Sequence, residues 1–141
     1  RTQAVSNRVV YTGNQLYLFE PSQALSVLYY MYNTREHCIS VLHGTFDQDF
    51  HNHRHNCYMS DIFDLLCLYY QGAKQFDNDF WKHTRATTFD RLHRSRHFKT
   101  WITDWINGDK QGYAFHPQYV MEILLNGLID SDKNWYESFK I

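Results

Sequence analysis

The sequence of 141 residues predicts an α+β fold, a small antiparallel sheet (an N-terminal hairpin plus one further strand) packed with five or six helices. Three observations carry this. Two β-prone runs meet at a Gly-Asn pair near the N-terminus, an alternating run follows at residues 37–42, and later segments repeat apolar residues at three- and four-residue spacing between cap and stop residues. The length suits one domain, residues 1–141. With 43% apolar residues the chain has enough to build a core.

Residues 8–12 and 15–19 flank Gly13-Asn14, where glycine accepts the positive φ of a tight hairpin. Pro21 suits the first turn of a helix carrying Leu25, Leu28, Tyr29 and Tyr32 and ending near Asn33. A third strand is expected from His37 to Leu42, with Cys38, Ser40 and Leu42 on one face, and Gly44 ends it. Residues 45–59 are mostly polar and read as a loop. Ser60 or Asp61 caps a helix through Leu65, Leu66, Tyr69 and Tyr70, closed by Gly72.

Asp77 or Asn78 caps a short helix with Phe80 and Trp81. Thr87 or Thr88 caps another that runs to a stop at Asn107-Gly108. Pro117 opens a helix with Val120, Ile123, Leu124 and Leu128 on its buried stripe, and Ser131 or Asp132 starts the last, carrying Trp135, Tyr136 and Phe139.

The formal charge is −1, which argues against a pull toward polyanions until the chain is divided. Residues 82–99 hold Lys82, Arg85, Arg91, Arg94, Arg96 and Lys99 against Asp90 alone, a local charge of +5. Trp81 and Trp101 flank the tract, and His83, His93 and His97 lie in it. Arginine forks match phosphate oxygens and aromatic faces stack on bases, so this is the mixture a nucleic-acid or nucleotide site needs.

Counting about 100° per residue from Arg91, residues Phe98, Trp101, Ile102, Trp105 and Ile106 share an arc that also contains Arg91 and Arg94. Either the helix breaks between about Leu92 and His97, or these arginines reach from the buried stripe into a cleft. Protonation of the three tract histidines below roughly pH 6.5 would strengthen polyanion binding.

A second pattern runs through His51, His53, His55 and Cys57, a metal-competent side chain at every odd position. In an extended segment these share a face, so His51, His53 and His55 are candidate ligands for zinc or manganese in a metal-dependent nuclease or phosphodiesterase. The His pairs followed by Tyr70 and Lys74 are similar in order to a rolling-circle type nuclease. That family places a bulky apolar residue between its histidines, where this chain has Asn52 or Arg54, and Gly72 interrupts the Tyr-to-Lys interval.

No nucleophile elbow, phosphate loop, dinucleotide fingerprint or H-E-x-x-H motif is present, and no catalytic residue is assigned. The first expectation is therefore a nucleic-acid- or nucleotide-binding protein without covalent chemistry. A third possibility is an interaction module whose Tyr, Trp, Phe and Arg residues form a homodimer. No apolar run reaches membrane-spanning length, and three cysteines without a C-x-x-C pair suit free thiols, so a soluble cytoplasmic protein is expected.

Overall fold

The computed structural model describes residues 3, 5, 6, 9, 10, 25–72, 76–131 and 133–139. Two strands and six helices follow in order: β1 (Val5–Ser6), β2 (Val9–Val10), α1 (Leu25–Leu42), α2 (Gln48–Gln71), α3 (Asp79–Arg94), α4 (Arg96–Ile106), α5 (Gln118–Ser131) and α6 (Lys133–Glu137). The chain divides into two compact units, residues 1–60 and 61–141, with the division inside α2.

The expected α+β class is corrected, because the described chain is mostly helical. The strands contribute two residues each, paired antiparallel with Val5 opposite Val10 and Ser6 opposite Val9. Asn52 holds β1 from α2: its Oδ1 accepts the Val5 N–H at 2.9 Å and its Nδ2 donates to the Val5 carbonyl at 3.1 Å. The expected turn at Gly13-Asn14, the run 15–19 and the Pro21 helix start lie outside the described residues.

The third strand is corrected too, since residues 37–42 are the last turns of α1. Six residues are too short for alternation to separate a strand from a helix. Here the side chains serve the helix: His37 Nδ1–H donates to the Asn33 carbonyl at 2.7 Å, and the Ser40 hydroxyl donates to the His37 carbonyl at 2.9 Å. Gly44, at φ 66°, ends α1. Its N–H bonds to the Val41 carbonyl and that of Thr45 to the Ser40 carbonyl, the paired closure that requires a left-handed residue.

The polar stretch 45–59 is largely helix. Asp47 Oδ1 accepts the Phe50 N–H at 3.0 Å, so α2 begins a dozen residues before the expected Ser60 cap. Within residues 1–60, α2 meets α1 through Arg54 and Glu36 at 3.3 Å and through the rings of Tyr29 and Tyr58.

In residues 61–141 the core is built from Ile62, Leu65, Leu68, Leu92, Phe98, Ile102, Met121, Leu125 and Leu128. Burial of each stabilises by roughly 1.5–3 kcal/mol. Much of the aromatic content lies here, with Tyr113 against Trp101 at 4.7 Å and Phe98 at 5.8 Å, and Phe139 against Trp135 at 5.0 Å. The α5 stripe is shifted from expectation: Met121, Leu125 and Leu128 are buried, whereas Ile123 is exposed.

Asn78 caps α3, its side chain accepting the Trp81 N–H. The helix continues through Thr87 and Thr88, where a new helix was expected, because the Thr88 hydroxyl donates back to the Thr84 carbonyl and interrupts nothing. Ser95 makes the break. Its backbone is extended and its Oγ accepts the Phe98 N–H, so one residue ends α3 and caps α4.

Candidate phosphate-binding groove

The break at Ser95 determines what becomes of the basic tract. On α4 the positions Arg96, Lys99, Thr100 and Thr103 recur at helical spacing along one face, opposite the buried Phe98, Trp101, Ile102 and Trp105. The last turn of α3 adds His93 and Arg94. Together with Asp104 these residues line an open groove of about 340 Å³.

Arg94 spends its Nε–H on the Asp90 carbonyl at 3.2 Å, and Arg96 and Lys99 are exposed. Among the described residues none of the three forms an ion pair. Arg96 also occupies the first turn of α4, where the helix dipole disfavours a cation. An anion in the groove relieves both strains on the charge distribution. The hydroxyls of Thr100 and Thr103 add neutral donors to the wall.

His93 is held between Phe89 at 4.3 Å and Phe139 at 4.2 Å, with Nε2 3.3 Å from the Ser138 hydroxyl. Burial, helped by the charge of Lys99, moves its pKa below the usual histidine value. It is neutral at pH 7 and can add charge to the groove on acidification.

The other predicted phosphate ligands are elsewhere. Lys82 Nζ lies 3.4 Å from Asp77, and Arg85 donates to the Phe76 carbonyl at 2.9 Å with its second nitrogen 3.9 Å from Asp77. Arg91 faces the buried Asp64 at 3.2 Å and lies over the Phe63 ring. Asp64 also accepts the Ser95 and Tyr113 hydroxyls, and burial nevertheless pushes its pKa up.

Neither tryptophan reaches the groove wall. Trp101 is buried against Tyr113 and Trp105, its Nε1–H donating to the Gln111 carbonyl at 3.4 Å. Trp81 is half-buried and stacked on Phe76 at 5.4 Å, near the opposite end of α3 from Arg94. Sequence reasoning left out Thr100, Thr103 and Asp104. Their signal was the stripe they form opposite the aromatic face of α4.

The expected extended histidine run is corrected by its helical conformation. Residues at i and i+4 share a helix face while i+2 points away, so His51 and His55 are buried and His53 is exposed. His51 stacks on His37 at 4.4 Å with Nε2 3.0 Å from the Ser40 hydroxyl, His55 Nδ1 bonds the Tyr29 hydroxyl, and His53 lies beside Cys57. Among the described residues no three His, Cys, Asp or Glu side chains converge as a metal site. Among the described residues no helix is long and apolar enough to cross a membrane.

No family model matches the chain, and neither a curated protein nor a solved structure does.

Proposed function

We propose that the groove at the α3–α4 junction binds the phosphate backbone of a nucleic acid. The observation that carries this reading is the convergence of Arg94, Arg96 and Lys99 on one open groove, where among the described residues none of the three is in an ion pair and Asp104 is the one acidic side chain on the wall. Arginine supplies paired N–H donors to phosphate oxygens, and lysine a compact charge. An open groove lets a polymer backbone pass, whereas a free nucleotide is better held by an enclosed pocket.

With Trp81 and Trp101 packed away from the groove wall, neither tryptophan is placed to stack on bases there. Binding is then independent of sequence and dominated by phosphate contacts. The proposal narrows the basic tract to its C-terminal part and leaves Lys82, Arg85 and Arg91 with structural partners.

Fluorescence anisotropy with a labelled oligonucleotide tests it. The triple variant Arg94→Ala/Arg96→Ala/Lys99→Ala should bind at least about tenfold more weakly, while Lys82→Ala/Arg85→Ala should bind as the parent does. Equal affinity of the triple variant and the parent would end the proposal.

A further inference from the structure

Beside the groove stands a pair of side chains that phosphate binding does not use. His97 Nδ1 lies 2.5 Å from Asp61 Oδ1, joining the first turn of α4 to α2 within residues 61–141. The two differ in exposure: the His97 side chain is 63% exposed and that of Asp61 16%. A carboxylate only accepts hydrogen bonds, so Nδ1 carries the proton and donates it. That fixes the tautomer and leaves the lone pair on Nε2 of a ring mostly in solvent.

His97, Thr100 and Asp104 follow one another at three- and four-residue spacing along α4, and the latter two line the groove. Residues three apart on a helix have Cβ atoms about 5–6 Å apart, so the imidazole borders the groove at Thr100. Arg96 and Lys99, on either side of His97 in sequence, line the groove as well. A base oriented by a largely buried carboxylate, next to cations that hold a phosphate, is suited to removing a proton from a hydroxyl beside that phosphate. RNA carries such a group, the 2′-hydroxyl, and DNA lacks it.

We infer that, given the phosphate binding proposed for this groove, His97 is the general base of an RNA cleavage there and Asp61 its positioning residue. His97 Nε2 takes the 2′-hydroxyl proton, the 2′-oxygen bonds to the adjacent phosphorus, and the bond from phosphorus to the 5′-oxygen breaks. The departing oxygen takes a proton from water, and the hydroxide left behind recovers one from the imidazolium. The products are a 2′,3′-cyclic phosphate and a 5′-hydroxyl, and the step requires no metal or oxidant. Arg96 and Lys99 stabilise the negative charge that accumulates on the phosphoryl oxygens, and Asp61 stabilises the imidazolium.

Incubation of the full chain in EDTA with a labelled RNA oligonucleotide, and with DNA of the same sequence, tests this. The RNA should be cut to fragments ending in 2′,3′-cyclic phosphate, and the DNA should stay intact. His97→Ala should lower kcat at least about 100-fold, and added imidazole should restore part of the loss. Asp61→Asn should lower kcat at least about tenfold with KM within about twofold, because asparagine can donate to Nδ1 and so places the ring proton on Nε2. Both variants should bind the RNA, by anisotropy, as the parent does.

RNA left intact by a parent that binds it would overturn the inference and leave phosphate binding standing. So would cleavage of the DNA, or the parent's kcat in either variant. A parent that neither binds nor cuts RNA would end the phosphate reading and the cleavage together.

Discussion

Arg91 Nε lies 3.2 Å from Oδ1 of Asp64, a carboxylate with no solvent exposure. The arginine at the middle of the basic tract therefore neutralises a buried charge in the same unit. Removing one member of such a pair leaves the other desolvated and unpaired, a larger loss than the pair's own net contribution. Arg91 is itself partly exposed, and the Ser95 and Tyr113 hydroxyls still serve Asp64, which moderates the loss.

Arg91→Ala is accordingly expected to lower unfolding stability by about 2–3 kcal/mol while leaving oligonucleotide affinity within twofold. Arg96→Ala should do the reverse, weakening binding with little change in stability. Urea unfolding and anisotropy on the same two proteins check both halves.

Gly44 closes α1 at φ 66°, and a Cβ there would meet no atom within 4 Å. The cost of Gly44→Ala is thus confined to backbone conformation, about 1 kcal/mol. Thermal unfolding should show a small drop in Tm with no change in helical content.

His37 and His51 stack at 4.4 Å, both buried, and burial lowers the pKa of each. The charge of Arg54 on the adjoining turn acts in the same direction, against weaker opposition from Asp47 and Glu36 at His51. The folded state then binds fewer protons than the unfolded chain below the unfolded histidine value of about 6.5. Their stabilising contribution is present above that pH and is lost as pH falls through the lowered folded values. Asp61 and Asp64, held above the carboxylate range by burial, act in the opposite direction. Unfolding free energy should decrease from pH 7.5 to 5.5, and His37→Leu should flatten that slope.

In binding, acidification has a narrower origin than the tract's three histidines suggest. Only His93 lines the groove; His83 lies on α3 beside Thr87, and His97 is hydrogen-bonded to Asp61 at 2.5 Å. Because the His93 pKa is lowered, the gain should begin below the usual histidine range. Affinity measured from pH 7.5 to 5.5 should rise for the parent and for His83→Gln, and stay flat for His93→Gln.

Several features were legible from local chemistry. Asn78 caps a helix, Asn107-Gly108 ends one and Pro117 precedes one, because these residues act through backbone groups a few positions away. Residues 37–42 were not legible, since their alternation fits a strand as well as the end of an 18-residue helix. The histidine run misled for a related reason: its odd spacing is a shared face only if the chain is extended, and the Asp47 cap starts a helix there. The clustering of positive charge was readable, but which cations stay free was not. That depends on Asp64 and Asp77, which meet Arg91, Lys82 and Arg85 only in the folded chain. Trp101 likewise reads as a stacking residue until Tyr113 and Trp105 are seen to cover it.

The central claim is that Arg94, Arg96 and Lys99 neutralise backbone phosphates, and the salt dependence of oligonucleotide binding tests it most directly. Three contacts to a single strand predict a slope of log K against log salt of about −2, reduced by roughly 0.7 in Lys99→Ala. An affinity that does not change with salt, or a slope that Lys99→Ala leaves unaltered, would contradict the account.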